Sequence, residues 1–289
     1  MTSAREQTPQ RARLGAALRR LRLDVGLTGP QLAEQIGISQ STVSRLELGQ
    51  GATSPEVVDR WVVACAAADE QRAELVELAG SVATEATVWR RALRRGLPRL
   101  QQEVQELEAT AGTLRSLQPV VIPGLLQTAE YARHTVAAKF VASRADVPEL
   151  IKARLDRQTI LFDEAKRFEF VIAEAALRWR LGGPRVMAAQ LDRIATVATL
   201  GNVEVRVLPL EGEATVWHWH GFDLFDDRAD DEPPVVLAGT LTAGLMVSDP
   251  HDVALYQETF AAVWEVAIPG EAALAFVGQV AADLRDRSR

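Results

Sequence analysis

Hydrophobic residues between positions 10 and 24 fall at Leu14, Ala17, Leu18 and Leu21, steps of three, one and three that draw one stripe down a helix. Arg13, Arg19, Arg20 and Arg22 are spread around that stripe. Gly26 predicts the helix end, because glycine adopts the left-handed exit conformation without strain. Thr28 predicts the cap of a second helix, with Pro30 in its first turn and Gln31 placed to return the cap's hydrogen bond. That helix, QLAEQI, stops at Gly37, and Ser39 opens a third, SQSTVSRLEL, which stops at Gly49. Ser54-Pro55 opens a fourth, continued by Val57, Val58, Trp61, Val62 and Cys65, and a fifth runs from Glu70 to about Ala79. Residues 1–80 are therefore predicted to be an all-α bundle of five short helices. Only Gly37 and Ile38 part the second helix from the third, a turn short enough to cross them steeply, as in a helix-turn-helix.

Beyond the bundle, Leu93, Leu97, Leu100, Val104, Leu107, Ala111 and Leu114 recur in alternating steps of four and three, a heptad seam. Residues 81–111 are predicted to form a helical connector. It is expected to lie against the next domain or, over residues 97–114, to pair with a second copy as a dimer seam. From residue 112 the texture changes. The β-rich runs TLRSLQPVVI, FEFVIA, VEVRVLPL, WHWHGFDLF and PPVVLAGTL are interspersed with helical runs such as KARLDRQTILF and RVMAAQLDRIATVAT, and two helical runs close the chain. This pattern predicts an α+β domain over residues 112–289, suited to regulation or partner binding. DDRADDEPP, residues 226–234, reads as an acidic, solvated hairpin connection.

The formal net charge of −7 argues against nucleic acid until its distribution is considered. Residues 1–45 carry seven arginines against Glu6, Asp24 and Glu34, a net of +4, so the remaining residues carry −11. A basic head on an acidic body suits a DNA-binding module whose companion stays off the duplex. Cys65 is the only cysteine, which excludes an intrachain disulfide and a multi-thiolate metal site. No apolar run approaches the roughly 18 residues of a membrane span, and no signal-type apolar segment follows MTSAREQTPQRAR. A cytoplasmic location is expected.

In the third helix Val43 and Leu46 face the bundle with Ile36 and Ile38, which leaves Gln40, Ser41, Ser44 and Arg45 outward. Glutamine can bond adenine through two atoms, arginine prefers guanine, and serine accepts several base edges. The stretch LGAALRRLRLDVGLTGPQLAEQIGISQSTVSRLELGQG resembles the DNA-binding domain of the xenobiotic-response-element (XRE) family of bacterial regulators. The resemblance implies that Gln40, Ser41, Ser44 and Arg45 face the major groove of double-stranded operator DNA. It also implies a structural ion pair between Arg22 and Glu47. Gly29 stands where the family often has a phosphate-bonding glutamine, and GQGATSP lacks the family's basic loop residue. Phosphate anchoring is therefore expected from Arg11, Arg13, Thr28, the Gly29 amide, Gln31 and Thr53. So few phosphate contacts make a homodimer on paired half-sites the expected binding form.

The run VIPGLLQTAEYAR, together with KARLDRQTILF, AEAALRWRLGGPRVMAAQLDRI, VEVRVLPL and WHGFDLF, resembles a domain of unknown function. That domain follows XRE heads in many actinobacterial regulators, some of them antitoxin-like. The resemblance implies a small partner protein or a small-molecule effector. Pro123-Gly124 reads as a packing motif feeding a helix from about Leu125, whose first turn is also a candidate anion site. The aromatic stretch Trp217, Trp219, Phe222 and Phe225 reads as core or as the lining of an apolar pocket. An enzymatic alternative has little support. His218 and His220 would share one strand face and could start a metal site with Glu213 or Asp223, but no third ligand stands at motif spacing. Glu174 is a candidate cleft carboxylate or a structural one. GGP at 182–184 lacks the remainder of a phosphate loop, and no nucleophile elbow appears. Neither catalysis nor a cofactor or metal is expected.

Overall fold

Leu14, Leu18 and Leu21 line the buried side of α1 (Pro9–Asp24), the first element of a computed structural model that describes residues 9–49, 53–88, 97–139, 147–211, 220–229, 232–239 and 243–286. Gly26, with φ 72°, turns the chain into α2 (Gly29–Ile36). Thr28 caps α2 as expected: its hydroxyl accepts the Gln31 amide, and the Gln31 side chain accepts the Thr28 amide at 2.9 Å. Gly37 ends α2 in the left-handed conformation, and Ser39 caps α3 (Gln40–Glu47) by accepting the Thr42 amide at 3.1 Å. Then come α4 (Pro55–Ala64), capped by Ser54, and α5 (Asp69–Ala83). Leu18, Leu32, Val58, Trp61, Val62 and Ala79 are wholly enclosed between these helices. Trp61 keeps its indole N–H satisfied there by donating to the Leu18 carbonyl.

The chain divides into two compact units. The first takes in residues 1–86 and also 227–236 and 245–254, two segments that pattern alone put with the C-terminal domain. Specific contacts draw in the second of these: the Ser248 hydroxyl donates to the Thr53 carbonyl at 3.1 Å, and Arg11 reaches the Met246 sulfur at 3.9 Å.

The strands are β1 (Thr84–Val88), β2 (Ala111–Gln118), β3 (Arg167–Ala173), β4 (Val203–Leu208), β5 (Phe222–Arg228), β6 (Val235–Gly239) and β7 (Ala243–Val247). They form a sheet of order β1-β7-β6-β5-β2-β3-β4. β2 and β3 pair in parallel, Leu114 opposite Phe168, and β3 pairs in parallel with β4, Phe168 opposite Val203. Parallel neighbours need crossovers. α7 (Ala129–Lys139) and α8 (Val147–Arg157) supply the first; α9 (Glu174–Arg178) and α10 (Pro184–Val197) supply the second. α11 (Pro250–Val266) and α12 (Gly270–Asp286) close the chain, and α12 packs on α10 and β4.

Two expectations for the connector change. The heptad seam does not run as one helix: α6 (Leu97–Thr110) ends and Ala111 and Leu114 already belong to β2. Leu107, Ala111 and Leu114 are buried within the chain itself, so these positions offer nothing to a second copy. β1 also interrupts the expected helical stretch, while Leu93 lies outside the described residues. No helix among the described residues is long and apolar enough to cross a membrane.

Candidate nucleic-acid interface

α3 is amphipathic in the way a groove-reading helix requires. Thr42, Val43 and Leu46 are buried against the bundle, while Gln40, Ser41 and Ser44 stand exposed. The helix is held rigidly at both ends. At its start, the Ser39 hydroxyl bonds those of Ser41 and Thr42, each at 2.8 Å. At its end, Glu47 takes Nε and Nη2 of Arg22 at 2.5 and 2.8 Å, and Nη1 of Arg22 donates to the Leu27 carbonyl at 2.7 Å. Hydrogen bonding to Glu47 raises the Arg22 pKa above its ordinary value despite partial burial. α1 lies close against this end. A Cβ on Gly15 would stand 2.6 Å from the Leu46 carbonyl oxygen and 2.8 Å from that of Glu47.

The expected base readers are together on one ridge, but Arg45 is not free. Its Nη2 donates to the Thr42 hydroxyl at 3.4 Å, and its Nη1 pairs with Glu232. The expected phosphate contacts diverge more. Thr28 and the Gly29 amide stand at the start of α2, and a Cβ on Gly29 would stand 4.0 Å from the Gln40 side chain. Gln31 is exposed, yet its carbonyl oxygen is committed to the Thr28 amide and hydroxyl. Arg13 is exposed and paired with Glu74 at 2.5 Å. Arg11 reaches the Met246 sulfur. Thr53 is only 3 % exposed and cannot touch phosphate from this position.

In the C-terminal unit, VIPGLLQTAEYAR is a packing device. Gln127 donates to the Ile122 carbonyl, Gln158 to the Gln127 carbonyl and Gln190 to the Leu126 carbonyl, each at 2.7 Å. Instead of a helix from Leu125, a single 3₁₀ turn over Gly124–Leu126 precedes α7, because these side-chain amides claim the backbone groups. Glu174 is likewise structural. Burial would raise its pKa, but the Leu210 amide at 2.9 Å and Arg178 at 2.6 Å hold it below the usual carboxylate range. Phe225 is core, and Phe222 borders an open cavity of about 410 Å³ together with Gln118, Val120, Val121, His220 and Asp223. His220 is engaged by the Gly221 carbonyl at 3.0 Å and the Tyr256 hydroxyl at 3.4 Å, and Asp223 accepts from Ser116 and Gln118. Trp217, His218, Trp219 and Glu213 lie outside the described residues. Among those described, no group of three or more His, Cys, Asp or Glu could hold a metal.

Two family models match the chain. A family model described as a helix-turn-helix domain matches residues 13–75, and one described as a domain of unknown function, DUF5753, matches residues 101–279. No curated protein matches the chain. Among solved structures, TrmBL2, an archaeal chromatin protein with a novel mode of DNA binding, aligns over 89 % of this chain and 94 % of its own at 15 % identity. Its TM-score of 0.31 is too low to carry a conclusion about fold or function.

Proposed function

The chain belongs to the DUF5753 family and carries a helix-turn-helix head, and from that premise we propose a sequence-specific, DNA-binding transcription regulator. One observation carries the proposal: an exposed polar ridge of Gln40, Ser41 and Ser44 begins a helix whose opposite side is buried and whose ends are pinned. Base edges in the major groove are read by such N-terminal recognition-helix residues. The finer assignment is to the XRE-type, antitoxin-like regulators of actinobacteria that the sequence resembles, acting in the cytoplasm on operator DNA. The work assigned to the chain is binding rather than catalysis.

With Arg11 turned inward and Thr53 buried, one head offers few phosphate contacts. Backbone contacts supply much of the affinity for DNA at physiological salt. A homodimer that doubles those contacts on paired half-sites is the binding form proposed. Since the buried part of the heptad seam serves the chain's own core, the dimer contact is assigned to other surfaces of the C-terminal domain. The cavity beside His220 and the exposed Val120 and Val121 favours an effector role for the same domain, filled by a small molecule or by a segment of a small partner protein. If capture of that partner is the main task and DNA binding serves autoregulation, Arg45→Ala abolishes operator binding and leaves capture intact.

Mapping bound sites across the host genome, followed by gel shifts, tests the main proposal. Gln40→Ala and Arg45→Ala should each lose about 1–3 kcal/mol of discrimination against wrong bases. Equal losses on operator and random duplex would refute the assignment of α3.

A further inference from the structure

Asp226, Arg228 and Glu232, within the acidic stretch 226–234, are not solvated as its composition suggests. Asp226 is buried, paired with Arg115 and accepting Gln257 at 3.0 Å. Asp227 bends the chain with φ 51°, a left-handed conformation that aspartate tolerates better than most residues. Five residues on, the Glu232 side chain is only 9 % exposed, and its two oxygens are divided between two arginines. Oε1 holds Nη1 of Arg45, the last residue of the expected base-reading set, and Oε2 holds Nη2 of Arg228. Residues 227–236 belong to the same compact unit as α3.

We propose that Glu232 is an autoinhibitory latch, occupying on Arg45 the place that a guanine edge or a phosphate would take. The inference rests on the proposal that α3 reads DNA. A carboxylate and a guanine edge compete for the same guanidinium N–H groups, so both cannot hold Nη1 together. A carboxylate beside the reading ridge also repels the phosphates on either side of the groove. The contact to Arg45 is incomplete in a way that suits release. Nη1 of Arg45 pairs with Glu232, Nη2 turns to the Thr42 hydroxyl, and Nε is buried without a partner among the described residues. Opening the latch does not orphan the carboxylate. Arg228, 4 % exposed and anchored to the Pro233 carbonyl at 3.1 Å, stays with it. Glu232 therefore has two satisfied arrangements, one shared by two arginines and one held by Arg228 alone, while Arg45 passes to the duplex.

The test uses the full chain, an operator fragment recovered by genomic selection and a random duplex at fixed salt. Glu232→Gln should tighten operator binding about tenfold, within the usual range of coupling between sites. Glu232→Asp, one methylene shorter, should tighten it in the same direction, and it retains the charge beside Arg228 should the amide disturb folding. In the Arg45→Ala background the gain of Glu232→Asp should vanish, and that of Glu232→Gln should shrink to what relief of phosphate repulsion supplies. Unchanged or weaker operator binding by folded Glu232 variants, with Arg45→Ala still impaired, overturns the latch but leaves the reading helix standing. Normal operator binding by Arg45→Ala overturns the latch and the assignment of Arg45 together.

Discussion

Arg22, in the last turn of α1, and Glu47, the last residue of α3, grip each other through two hydrogen bonds while their side chains are only 11 % and 10 % exposed. The pair ties α3 to α1 through charge as well as packing. Arg22 also holds the Leu27 carbonyl, so the turn into α2 shares the anchor.

Arg22→Ala or Glu47→Ala should each cost about 3 kcal/mol of stability, because either leaves a desolvated charge without its partner. The double variant should cost less than the sum of the two. Denaturant unfolding of the four proteins measures the coupling. Losses below about 1 kcal/mol would mean the pair behaves like an exposed surface bridge.

Gly15→Ala should be nearly as damaging, although alanine favours helices. The added methyl would meet the carbonyl oxygens of Leu46 and Glu47 and, at 2.9 Å, the Gly49 nitrogen, all of them backbone atoms that no rotamer change can move. Crowding of this kind costs about 1–3 kcal/mol. The strain falls on the end of α3, so a lowered melting temperature should come with weaker operator binding. A neutral result in both measurements would show that α1 and α3 can separate without cost.

Much of the head was legible in the sequence because its signals are local. Thr28 with Gln31, Ser39, Gly26 and Gly37 each declare a helix boundary within a few residues, and the apolar stripe of Leu14, Leu18 and Leu21 declares the buried side. Contacts between distant segments leave no such trace. Thr53 reads as a loop hydroxyl free to meet phosphate, but it is buried, and Ser248, 195 positions away, holds its carbonyl. Glu232 looked solvated because acidic, proline-rich stretches usually are, and nothing near it in sequence points to Arg45. The heptad misled for another reason: Ala111 and Leu114 keep the apolar spacing of α6 but are core residues of β2, and spacing alone does not distinguish the two over so short a run.

Arg13 and Glu74 form a pair with both side chains more than half exposed. Such a bridge contributes at most about 1 kcal/mol, so Arg13 can leave it for a phosphate at little cost. Arg13→Ala should weaken operator and random duplex alike and flatten the dependence of log affinity on log salt by about one unit. Glu74→Ala should strengthen both by a few-fold at most, the ceiling set by the lost bridge. Sequence-selective effects from either variant would move Arg13 from the phosphates to the bases.

Thr53 separates a sequence-based expectation from the structure most cleanly. With no basic residue in GQGATSP, its hydroxyl is expected to contact phosphate, whereas the structure buries it, with Oγ1 lacking a hydrogen-bond partner among the described residues. Thr53→Val replaces that hydroxyl with a methyl of nearly the same size. If Thr53 serves only the interior, the variant removes a buried group that costs about 1–3 kcal/mol to leave unsatisfied, and stability should hold or rise. Affinity for operator and for random DNA should stay the same, with an unchanged salt slope. A uniform loss of affinity and a shallower slope would instead show that the segment carrying Thr53 opens on DNA, with Ser248 giving up its hold on the Thr53 carbonyl as it does so.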